Sequence, residues 1–79
     1  RSFALVALEQ FGIQPRHLRG LKSAAEREVG IITGVTEPVV RKKAPDSAAK
    51  VGHIAREIAE CFGAIRAHLI AEAVEEIEG

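Results

Sequence analysis

The side chains of this sequence best equipped for chemistry are His17, His53, His68 and Cys61, with Glu57 and Glu72 near them. His53, Glu57 and Cys61 recur at four-residue steps, and His68 and Glu72 form another such pair, so each set shares one face of a helix. A bound zinc ion is the chemistry such a face suggests. A tetrahedral zinc site, however, takes about four ligands, typically from a dense Cys/His cluster. The residues predict no metal. Cys61 lies close to Ala59 and Phe62, the setting of a buried free thiol, and no His or Asn stands in a frame that would activate it as a nucleophile. No glycine-rich phosphate loop and no pair of catalytic carboxylates is present. The reading is not an enzyme, with no cofactor.

A second kind of chemistry is suggested by FGIQPRHLRG, residues 11 to 20. An apolar run ends in glycine, an aliphatic residue and a proline, and the next run opens with basic residues, as in a helix-turn-helix. Arg16, His17, Arg19 and Lys22 could then point outward to DNA, within a module covering residues 3 to 27. Three features count against it. The second helix reads longer than an ordinary recognition helix, Glu26 and Glu28 would repel phosphates, and the formal net charge is zero. Gly-Ile-x-Pro is also an ordinary corner between bundled helices. Direct DNA contact is therefore kept as one alternative, and a generic helical protein-interaction module unrelated to transcription as another.

The elements that must position these residues are helical. The apolar fraction of 47% comes mostly from Ala, Val, Ile and Leu, with three Phe and no Trp or Tyr. That composition favours close-packed helices over a sheet sandwich. Phe3, Ala4, Ala7, Leu8 and Phe11 predict a short first helix capped by Ser2 and ended by Gly12. Pro15 suits the first turn of a second helix, whose apolar stripe reads Leu18, Leu21, Ala25, Val29, Ile32, Val35 and Val39. This helix is expected to reach about Glu37, where Pro38 kinks or ends it. RKKAPDS, residues 41 to 47, is the interior linker, and Asp46 is the expected N-cap of a third helix reaching Glu78. Glu72, Glu75, Glu76 and Glu78 oppose the dipole at its end, which is expected to fray.

Length then decides the organisation. A helix from 46 to 78 is roughly 49 Å long, whereas a compact domain of 79 residues is only about 30 Å across. The third helix must overhang its own domain. Ala55, Ala59, Gly63, Ala67 and Ala71 form a ridge of small residues on it, beside a bulky stripe of Ile54, Ile58, Phe62, Ile65 and Leu69. Two such ridges can approach closely, so Ala55, Ile58, Ala59, Phe62, Gly63, Ala67 and Ala71 are the expected dimer interface. Alanine also fills helices simply because it propagates them, and that reading stays open. Residues 15 to 43 carry seven Lys or Arg against three Glu, and residues 57 to 79 carry only Arg66 against six Glu. The acidic tail of one chain could lie along the basic region of another.

One cysteine allows no internal disulfide, so a reducing cytoplasm is the default. No apolar run approaches the length of a membrane span. The chain begins at Arg1 and has no Met, which reads as a piece of a longer protein. The FGI-x-PRHLR corner, the K-x-AAEREVG run, the basic linker and the long Ala/Glu-rich helix together resemble the C-terminal domain of MerR-type bacterial transcription regulators. The MerR-like regulators of cell-division genes are the nearest group. Gln14 stands where that family would place a Ser or Thr cap. The resemblance implies a cytoplasmic homodimer whose winged helix-turn-helix precedes Arg1 and binds DNA, while this part joins the subunits and can sense an effector. Metal-sensing members use cysteines near the end of the dimerisation helix, a pattern that Cys61 alone does not reproduce, and no β-rich ligand domain is present. The expected fold is thus all-α: one small three-helix domain over 1–79, with a long C-terminal helix that dimerises through helix packing. A small-molecule site, its residues unknown, is expected between the Leu18 to Ile32 stripe and the third helix or at the dimer seam.

Overall fold

A computed structural model describes residues 2–79. Among them the chain forms helix α1 (Phe3–Glu9), a 3-10 turn (Pro15–Leu18), helix α2 (Arg19–Lys42) and helix α3 (Ser47–Glu78), with no strand. The all-α architecture with a long last helix is as the composition and periodicity require.

Local signals fix the first corner. Ser2 caps α1, its hydroxyl accepting the Ala4 N–H at 3.2 Å. Gly12 ends the helix at a φ of +81°, a region that side chains avoid. Around it the Gly12 N–H donates to the Glu9 carbonyl at 3.0 Å and the Ile13 N–H to the Leu8 carbonyl at 3.3 Å. These are the two bonds of a Schellman stop. Phe11, expected on the stripe of α1, lies beyond its end and is exposed. Pro15 opens the 3-10 turn as expected of its fixed φ.

The second helix departs from the sequence reading in two ways. It runs through Pro38 to Lys42 rather than stopping near Glu37, so the interior linker shrinks to residues 43–46. Proline removes one backbone donor, which would have bonded Gly34, but its φ is helical and a single lost bond need not end a helix that packs along its length. Lys43 closes α2 in the left-handed region at φ 49°, its N–H donating to the Val40 carbonyl at 3.2 Å. The inward line of α2 keeps Ile32 and Val39 of the expected stripe but is otherwise shifted by one position. Ala24, Glu28, Ile32, Thr36 and Val39 are the shielded residues, whereas Leu21, Ala25, Val29 and Val35 are exposed. Thr36 is the one buried residue among those described, at 5% exposure, and its hydroxyl donates to the Ile32 carbonyl at 2.9 Å. That internal bond is what lets a polar side chain face the neighbouring helix.

Helices α2 and α3 form an antiparallel hairpin. Val40 lies by Ser47, Ala48 and Val51 at the closed end, and Glu28 meets Arg66 further along. On α3 the shielded residues are Ser47, Val51, Gly52, Ile54, Ala55, Ile58, Phe62 and Gly63. Beyond Gly63 every residue of α3 is exposed. Asp46 occupies the N-cap position of α3 but makes no side-chain cap. Its carboxylate instead pairs with Lys50 at 3.3 Å, so the expected cap is corrected to an i, i+4 ion pair. The acidic end of α3, expected to fray, stays helical to Glu78, with the Gly79 N–H on the Glu75 carbonyl at 3.0 Å.

The 32 residues of α3 span roughly 48 Å and the 24 of α2 roughly 36 Å, so α3 is the longer by roughly 12 Å. The molecule is 50 Å long with a radius of gyration of 16.9 Å. A compact chain of this size has a radius near 12 Å. No apolar side chain is fully buried among the described residues.

Candidate functional site

Each residue with chemical potential has a definite place. His53 Nε2 lies 3.5 Å from Glu57 Oε2, and His68 Nε2 lies 3.4 Å from Glu72 Oε1, as i, i+4 neighbours on the surface of α3. Among the described residues no three His, Cys, Asp or Glu side chains converge. Cys61 is exposed rather than buried, because α2 covers only one side of α3 and position 61 is on another.

The basic corner is occupied by its own interactions. The Gln14 N–H donates to His17 Nδ1 at 2.9 Å, while the His17 N–H donates to the Gln14 carbonyl at 2.9 Å. This reciprocal pair supplies the cap that a Ser or Thr would have given. It also requires Nδ1 to be the unprotonated nitrogen. Arg16 Nη1 donates to Gln14 Oε1 at 2.7 Å. Two of the four side chains suited to DNA thus brace the corner, and Arg19 and Lys22 remain turned outward from the first turns of α2. Nothing in the sequence patterning pointed to the His17 brace. The histidine three residues after an extended Gln14 is the only signal for it.

The seven residues expected at a dimer interface are divided by the hairpin. Ala55, Ile58, Phe62 and Gly63 are half-shielded along the edge where α3 meets α2, whereas Ala59, Ala67 and Ala71 are exposed. A Cβ added at Gly63 would meet only Arg66, at 4.0 Å, so the position is open within the chain. The exposed half of α3 also carries Ile65, Leu69, Ile70, Val74 and Ile77, the last at 83% exposure. Exposed apolar residues gathered on one helix suit contact with a partner.

Two hollows have mainly apolar linings. One, of about 300 Å³, is lined by Glu28, Ile31, Phe62, Ile65, Arg66 and Leu69, in the groove between α2 and α3 where the sequence placed a ligand site. Across it Arg66 is ion-paired to Glu28, joining the two helices. The other, of about 340 Å³, lies at the first corner and is lined by Leu5, Glu9, Ile13, Pro15, Leu18, Arg19 and Lys22. No helix among the described residues is long and apolar enough to cross a membrane.

The Rv1828-like, C-terminal domain family matches residues 3–78. Two curated relatives, both named uncharacterized HTH-type transcriptional regulators, are 32% identical over 71 residues; one is Rv1828 of Mycobacterium tuberculosis and the other Mb1859 of Mycobacterium bovis. Those 71 residues are 90% of this chain but 29% of each relative, so the chain spans under a third of their length. No solved structure matches. The corner, the long α2 and the long α3 all lie inside the matched residues, and the chain belongs to the Rv1828-like C-terminal domain family.

Proposed function

We propose that this chain is the dimerising and effector-sensing domain of a MerR-type transcription regulator, holding two DNA-binding heads at the spacing of a palindromic site. The observation that carries the reading is surface. The chain exposes 6649 Å². A compact monomer of 8.5 kDa exposes about 4,700 Å². The excess of about 2,000 Å² is more than twice the roughly 800 Å² that one partner commits to a standard interface. A chain with that much excess surface, and with no fully buried apolar side chain among the described residues, gains most by covering it.

A second copy is the natural cover. Ala59, Ala67 and Ala71, with the edge residues Ala55, Ile58, Phe62 and Gly63, form the proposed seam. The relatives named as HTH-type regulators support a role in transcription, with DNA bound through a part of the longer protein outside these residues. The open groove with Ile31, Phe62 and Leu69 is one place for an effector. Light scattering on the chain at micromolar concentration tests the reading. A dimer mass is expected, together with no specific complex in a gel shift on DNA. A stable monomer would sink it, and a specific complex with the chain alone would favour residues 3 to 27 as the DNA reader.

A further inference from the structure

The hollow at the first corner lies outside the proposed seam, and its chemistry differs from that of the α2–α3 groove. Leu5 from α1, Ile13 and Pro15 from the connection, and Leu18 from the 3-10 turn form an apolar floor. On its α2 side stand Arg19 and Lys22, one turn apart on the same face. Among the described residues neither forms an ion pair, as is also true of Arg27, Lys42, Lys43 and Arg56, but only these two stand beside an apolar hollow at the corner. Glu9 on the α1 side is engaged in an interaction of its own. The corner is also preformed. Gly12, Pro15 and the Gln14–His17 brace fix the angle between α1 and α2, so filling the hollow need not order the chain first.

We propose that this hollow binds a small amphipathic carboxylate, its alkyl chain on Leu5, Ile13, Pro15 and Leu18 and its carboxylate on Arg19 and Lys22. Sign and size both select this class. Two free cations beside an apolar floor favour an anion with a greasy tail over a neutral or cationic amphiphile. A volume of about 340 Å³ is near the lower end for ligand pockets, which limits the tail to a short or medium chain. This assignment rests on the effector-sensing reading and gives it a ligand class and a second location.

The test uses decanoate, with decyltrimethylammonium as the probe of equal chain length and opposite charge, both below their micellar concentrations. Amide shifts are followed by NMR on the labelled chain. Decanoate is expected to saturate shifts at Leu5, Ile13, Leu18, Arg19 and Lys22, and the cationic probe to leave them unmoved. The double variant R19Q/K22Q, at two exposed positions, is expected to lose about tenfold or more in decanoate affinity at unchanged helical circular dichroism. Equal response to both probes, shifts confined to the α2–α3 groove, or no response would each overturn the proposal. So would shifts of the same amides on diluting the protein alone, which would mean that a second copy covers the hollow. Molar mass is read separately. A monomer that binds decanoate sinks the dimer and leaves this site, whereas a dimer that ignores decanoate does the reverse.

Discussion

The Arg66 guanidinium on α3 is ion-paired to the Glu28 carboxylate on α2, across the open half of the hairpin. It is the one Lys or Arg of the acidic stretch 57–79, and it is held by an acidic residue of the basic stretch 15–43. The pair is partly shielded, with 46% of the arginine side chain and 29% of the glutamate exposed.

A pair so placed contributes modestly. Arg66→Met should lower unfolding stability by about 0.5–1 kcal/mol. In a double-mutant cycle with Glu28→Gln the coupling should stay below about 1 kcal/mol and shrink in 1 M salt. Urea unfolding at one fixed protein concentration measures it. A coupling several times larger would mean that the pair is far better shielded in solution.

Gly12→Ala tests the corner. The left-handed φ of +81° should cost an alanine about 1 kcal/mol or more. For a domain of this length that lowers the melting temperature by roughly 4–8 °C. Gly12→Asn should fall between the two, because Asn tolerates this region better. Melting curves followed at 222 nm decide the order, and an alanine variant as stable as the parent would contradict the assigned turn.

Pro38→Ala should have the opposite sign. Proline within a helix is about 3 kcal/mol worse than alanine, and Pro38 is exposed, so the replacement restores a backbone donor at little packing loss. A gain of about 1–3 kcal/mol is expected in denaturant unfolding. A loss would show that the shape proline gives α2 is what lets α3 lie along it.

These positions also mark where sequence reasoning worked. Ser2, Gly12 and Pro15 act through their own backbone and nearest neighbours, so their roles were legible from residue type and spacing alone. The phase of α2 was not. Two lines one position apart both have helical spacing, and the more apolar of them, through Leu21, Ala25 and Val29, faces water. The inward line contains Glu28 and Thr36, whose polar atoms are satisfied by Arg66 and by the Ile32 carbonyl. Only the fold supplies the first of those partners. Cys61 was misplaced for a related reason. An apolar neighbourhood in sequence suggests burial, but a helix covered on one side has room to expose the thiol. The overhang of α3, by contrast, followed from length and needed no side chain at all.

Gly63→Leu probes the proposed seam. Within the chain the added side chain starts in open space, and replacing glycine should favour α3 by a few tenths to about 1 kcal/mol. Helical content is therefore expected to hold while the dimer weakens, because leucine would force two ridges apart. Sedimentation at several concentrations reads the dissociation constant, expected to rise at least about tenfold for a strain of about 1.4 kcal/mol. An unchanged constant would place the contact elsewhere.

Because α3 is clasped by α2 over its first two-thirds and continues alone beyond it, the helix is mechanically a lever with its fulcrum inside the hairpin. A tilt of about 10° about a point near Phe62 sweeps the far tip, roughly 23 Å away, through roughly 4 Å. Any event that wedges the groove around Phe62 and Arg66 by a small angle is thereby magnified into a displacement of a few ångströms at Ile77.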